Sequence, residues 1–90
     1  MALVKIQAAL RYLADGQAEC MVDGETLGEV LRGLVRRHPR LGPKLLEEGG
    51  KMFPGLLVVL GSEDGRVIRD EGTALEQDAV ITVYPLVAGG

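Results

Sequence analysis

A single cysteine, Cys20, excludes an internal disulfide framework, and one histidine, His38, beside it leaves too few ligands for a zinc site. Tryptophan is absent and aromatic residues reach only 3% (Tyr12, Phe53 and Tyr84), so the core falls to Leu, Val, Ile and Ala. No apolar run attains the roughly 18 residues of a membrane span. The N-terminus lacks the charged-then-apolar pattern of a secretion signal. A cationic excess is missing too. Ten Lys and Arg stand against 13 Asp and Glu, a net charge of -3, which argues against a protein built to bind nucleic acid. What these absences leave is a cytoplasmic, reduced protein of 90 residues, 47% hydrophobic and 26% charged, the balance of one small folded domain.

Leu3 to Leu10 alternate, with Val4, Ile6, Ala8 and Leu10 on one face and Lys5, Gln7 and Ala9 on the other. That period of two predicts a strand with one buried face. Asp15-Gly16 signals a turn, and a second alternating run sets Ala18, Cys20 and Val22 inward, so the two runs read as an antiparallel hairpin. The period then changes. Thr26 to Glu29 matches a capping box, and Leu27, Val30, Leu31, Leu34 and Val35 form an apolar stripe at helical spacing. Arg32, Arg36 and Arg37 lie off the stripe, and Pro39 stops the helix after His38, which caps it or faces solvent.

A short helical piece is expected over 43–48, before Gly49-Gly50. Leu56 to Leu60 are all apolar, as in a strand buried on much of both faces. A turn at 62–65 leads to a short edge strand over 66–69, a loop with one helical turn over 73–78, and a last β-branched strand over 79–84. Pro85 donates no ladder hydrogen bond, so regular pairing should end there, with a domain over 1–85 and a flexible tail over 86–90. The order of elements describes an α+β sheet with its main helix packed on one face.

That order, closed by Pro85-Leu86-Val87-Ala88-Gly89-Gly90, resembles the ubiquitin-like sulfur carriers of the β-grasp fold, with a mixed four- to five-stranded sheet. The relatives are the molybdopterin synthase small subunit and the thiamine and cysteine-biosynthesis sulfur carriers. The likeness runs through Leu10-Arg11 with Ala14-Asp15-Gly16, then Asp23 to Leu31, then Asp78 to Pro85 and the Gly-Gly end. Tyr84 stands where the molybdopterin subunit usually has Phe, Leu86 where it often has a second Pro, and Gly61 where Asn is common.

The resemblance implies a carrier rather than an enzyme, without catalytic residues, metal or permanent cofactor. A terminal carboxylate has a reference pKa of about 3.3–3.7 and is a poor electrophile when ionised. In the family an adenylating, ubiquitin-activating-like partner uses ATP to activate it. Sulfur then replaces AMP, and the resulting thiocarboxylate on Gly90 serves an acceptor such as the molybdopterin synthase large subunit or a cysteine synthase. Val87, Ala88, Gly89 and Gly90 would extend at most about 13–14 Å into the partner's active site, and the glycines, lacking Cβ, suit a narrow channel. The alternatives are a molybdopterin synthase small subunit and a protein modifier conjugated through Gly90.

Docking requires a surface at the root of the tail. With Ile81 and Val83 turned to the helix, Val80, Thr82 and Tyr84 face outward, Leu57 and Val59 lie exposed beside them, and Pro85 completes the expected partner face. Cys20, by its parity, is a buried core residue rather than a sulfur-carrying thiol. Arg32, Arg36, Arg37 and Arg40 form a basic cluster on the solvated helix face, and Glu47-Glu48 and Glu63-Asp64 are surface pairs.

Overall fold

The computed structural model describes residues 1–61 and 65–86. Five strands, β1 (Ala2–Ile6), β2 (Glu19–Val22), β3 (Leu56–Leu60), β4 (Arg66–Ile68) and β5 (Val80–Pro85), form one sheet in the order β2-β1-β5-β3-β4. β1 and β5 run parallel at its centre, and every other pairing is antiparallel. The main helix α1 (Leu27–Arg37) covers one face, followed by a 3-10 turn (Pro39–Leu41) and the one-turn helix α2 (Gly42–Leu45). This is the expected α+β, β-grasp arrangement, with five strands and one main helix.

The predicted stripe of α1 is the stripe that packs. Leu27, Val30, Leu31 and Leu34 are buried against Val4, Ile6, Val58, Ile81 and Val83 of the sheet, with Val35 at the margin. The helix sits close over β2: a Cβ on Gly33 would come 2.7 Å from Val22 Cγ1, nearer than real side-chain carbons approach. Its first amides are all engaged. Leu27 and Gly28 N–H donate to the carbonyls of Thr73 and Glu71, and Glu29 N–H donates to Thr26 Oγ1 at 3.2 Å. The Glu29 carboxylate accepts from the Glu25 amide at 2.8 Å, one residue before its partner in an ordinary capping box.

Several expectations are corrected. β1 ends at Ile6, and Ala8–Leu13 form a 3-10 helix instead of extending the strand to Leu10. Ala8–Leu13 contain no β-branched residue, and Leu10 and Ala14 reach the core at helical spacing while Ala8 is exposed. The Asp15-Gly16 turn does form, with both residues at positive φ (55° and 79°) and Gln17 N–H donating to the Ala14 carbonyl, but it joins this helix to β2. Ala18 lies before β2 and is exposed. The helical piece at 43–48 is shorter, ending at Leu45, after which Leu46 bridges Met52. Residues 73–78 form turns and a bridge to Thr26 with no helical turn: the Thr73 carbonyl accepts from Leu27 N–H and Leu75 N–H donates to the Glu25 carbonyl, which ties the segment to the start of α1.

His38 takes the C-cap position, its N–H donating to the Leu34 carbonyl, yet its ring is buried rather than solvent-facing. Nδ1 lies 3.5 Å from Asp15 Oδ2, and neither ring nitrogen has a hydrogen bond among the described residues. Cys20 is buried as expected, and its Sγ receives the Arg37 guanidinium at 3.1 Å.

Truncating the centre of the helix stripe, Leu34→Ala, should lower stability by about 2–5 kcal/mol in urea unfolding. A loss well below that range would show that α1 does not pack as described. Removing the cap, Thr26→Ala, should cost about 1 kcal/mol by the same measurement.

Candidate functional site

The helix covers one face of the sheet and leaves the other open. Alternation along β5 turns Ile81 and Val83 into the core and Val80, Thr82 and Tyr84 to the open face, where they are half-buried. The antiparallel register sets Leu57 opposite Tyr84 and Val59 opposite Thr82, so these residues share that face, half-buried rather than fully exposed. Leu56 and Val58 point inward, as their parity predicts. On the other side of β5, Lys5 lies opposite Thr82. A groove of about 410 Å³ follows the outer side of β5, with Val80, Thr82 and Tyr84 along it and Lys5, Gln7 and Arg11 on the β1 bank.

Pro85 does not join that face. One residue beyond Tyr84, it turns to the other side and lines a separate hollow of about 190 Å³ with Leu10, Lys44, Phe53 and Gly55. Nor does pairing end there. Pro85 lies opposite Leu56, and Leu86 N–H donates to the Gly55 carbonyl at 2.7 Å. The missing proline donor faces the β1 side, where it costs nothing. Gln7 N–H still donates to the Val83 carbonyl, but the Gln7 carbonyl, which the next rung of the parallel ladder would use, accepts instead from Leu10 N–H at 2.8 Å. The 3-10 turn after β1 and the proline at the end of β5 therefore satisfy one constraint together.

Val87, Ala88, Gly89 and Gly90 lie outside the described residues, as does the Glu63-Asp64 pair. Among the described residues no group of three or more His, Cys, Asp and Glu side chains is placed to hold a metal ion, and no helix is long and apolar enough to cross a membrane. The outward parity of Lys5 and Gln7 is readable in the alternation of β1. The alternation does not place Arg11 on this groove, because the 3-10 helix that carries it there breaks the period of two.

The chain is 32% identical to small archaeal modifier protein 3 of Haloferax volcanii over 68 residues, covering 76% of this chain and 73% of that protein. It is 29% identical to the sulfur carrier protein CysO of Mycobacterium tuberculosis over 89 residues, covering 97% and 96% of the two. The chain belongs to the family of ubiquitin-like sulfur carriers. No family model matches it. Solved structures of the same fold agree with this membership. The small archaeal modifier protein 1 of Methanosarcina acetivorans superposes with a TM-score of 0.83 at 28% identity, covering 99% of this chain and 95% of that one. A chain of the Amycolatopsis orientalis BexX/CysO complex superposes with a TM-score of 0.84 over the whole of both chains, and at 22% identity it speaks for the fold alone.

For this carrier the pinned root of the tail gives a direct test. The Leu86 amide should exchange with solvent more slowly than an unstructured amide, as the Gly55 bond requires. Exchange at the unprotected rate would show that pairing stops at Pro85.

Proposed function

We propose that the chain carries sulfur on its own C-terminus. The Gly90 carboxylate attacks the α-phosphorus of ATP in the active site of an adenylating partner, forming an acyl-adenylate and releasing pyrophosphate. Hydrosulfide then attacks the acyl carbon, AMP leaves, and a proton is lost to give the thiocarboxylate. A second enzyme consumes this sulfur, and the near full-length similarity to CysO favours cysteine biosynthesis over cofactor biosynthesis. The chain contributes no acid, base or cofactor of its own and acts as a co-substrate, with ATP entering through the partner.

The observation that carries the proposal is the path of β5. The central strand of the sheet runs along the open-face groove and continues into the segment that ends in Gly89-Gly90. A partner seated on Leu57, Val59, Val80, Thr82 and Tyr84 therefore lies against the strand that delivers the reactive terminus, with Pro85 at the root. The four tail residues then enter its active site while the domain stays outside.

The similarity to small archaeal modifier protein 3 favours one further reading, a protein modifier joined through Gly90 to lysines of other proteins. Adenylation is common to both, and lysine conjugates in extracts separate the second from the first. The molybdopterin synthase small-subunit alternative predicts instead a stable heteromer when the chain is co-expressed with a large subunit.

Deleting Gly89-Gly90 should leave the circular dichroism and melting of the domain unchanged and abolish ATP-dependent pyrophosphate release by the cognate activating enzyme. Undiminished release from the truncated chain would exclude Gly90 as the activated group. Tyr84→Asp should likewise keep the fold and abolish complex formation with that enzyme, since it places a charge on the docking face next to the root of the tail. Unchanged activation kinetics would contradict the docking surface.

A further inference from the structure

The groove beside β5 is not uniformly apolar. Its β1 bank is cationic. Arg11 is half-buried, and its Nε–H donates to the Ile6 carbonyl at 2.8 Å, which fixes the plane of the guanidinium at the tail end of the sheet. Its two terminal nitrogens make no hydrogen bond or ion pair among the described residues, and neither does the Lys5 ammonium. Thr82 and Tyr84 border the same space, and no acidic side chain among the described residues lines it. Glu19, opposite Lys5 on β2, is the nearest acidic residue by register and makes no ion pair with it.

This local sign runs against the molecule, which carries 13 acidic and 10 basic residues. It also runs against the other end of β5, where Glu76 and Asp78 border a neighbouring hollow that holds Arg66 as its cation. The groove beside β5 thus carries Lys5 and Arg11, while the neighbouring hollow at the other end of the strand carries two carboxylates and one cation. Cations without an acidic partner among the described residues, lining one cleft, suit an anionic partner group, and a guanidinium held by its Nε keeps two parallel N–H donors for the two oxygens of a carboxylate.

We propose that Arg11, with Lys5 beside it, receives a carboxylate side chain of the protein that activates the tail, and so sets the orientation in which that protein docks. This rests on the docking reading of the open face. The Arg32, Arg36, Arg37 and Arg40 cluster does not serve, because it belongs to the helical layer on the opposite side of the sheet. A protein carboxylate fits better than a polyphosphate chain, since the two cations stand on an otherwise acidic molecule.

The test is pyrophosphate release by the cognate activating enzyme, titrated with the full-length carrier and with its Arg11→Glu, Arg11→Lys, Lys5→Glu and Tyr84→Asp variants, each checked for unchanged melting. Arg11→Glu should raise the KM for the carrier about tenfold or more with kcat unchanged. Lys5→Glu should do so to a smaller degree, and Arg11→Lys should recover part of the loss. Wild-type KM should rise with salt, and less steeply so in Arg11→Glu. Unaltered KM in both charge reversals, while Tyr84→Asp blocks activation, overturns the carboxylate site and leaves the docking face standing. Normal activation of Tyr84→Asp as well overturns the docking face, and with it this inference. A wild-type chain that is not activated at all overturns both. Saturable chemical-shift changes at Lys5 and Arg11 of the free chain with millimolar inorganic phosphate would make this a small-anion site, contrary to the proposal.

Discussion

The parallel pairing of the first and last strands is the constraint on which the rest depends. β1 and β5 lie side by side at the centre of the sheet and run in the same direction, so the chain must cross over between them. The crossover supplies α1 and the buried leucines Leu41 and Leu45, which cover one face. The strand leading to the C-terminus is thereby flanked on both sides and held by the whole core. A terminus reached through such a strand is presented from a fixed point, as a carrier requires of a reactive group offered to other proteins.

The same pairing divides the molecule by face. Residues of odd number in β5 pack under the helix, and those of even number border the groove. Val80, Thr82 and Tyr84 are therefore open to the groove without any loss of core, and Ile81 and Val83 hold the strand from the buried side. The two functions are separable by substitution because the pleat separates them. Where β1 gives way to its 3-10 helix, the Gln7 carbonyl turns to Leu10 and Pro85 occupies the place where a donor is no longer needed. That junction also brings Arg11 to the tail end of the groove.

Much of this was legible in the residues. The change of period at Thr26, the stripe from Leu27 to Leu34, the parity of β3 and β5 and the family likeness are local patterns, and local patterns survive folding when burial agrees with them. What was not legible depended on partners distant in sequence. The end of β1 at Ile6 is set by the pairing of β1 with β5, and the alternation over Leu3 to Leu10 hides it. His38 precedes a proline at a helix end, a place that ordinarily faces water, yet it is buried beside Asp15. Continued pairing at Pro85 follows from the side to which its nitrogen points, and composition carries no record of that. Arg11 reaches the groove for the same reason that β1 stops early.

If the terminus is the reactive group, the product of activation must be a single exchange of oxygen for sulfur on the last residue. Intact-mass spectrometry of the carrier after incubation with ATP, the cognate activating enzyme and a sulfide donor, with fragmentation to locate the change, measures this directly. The expected result is a mass increase equal to the difference between sulfur and oxygen, confined to Gly90 and absent without ATP. An unmodified carboxylate under those conditions, or sulfur found on Cys20 instead, would contradict it.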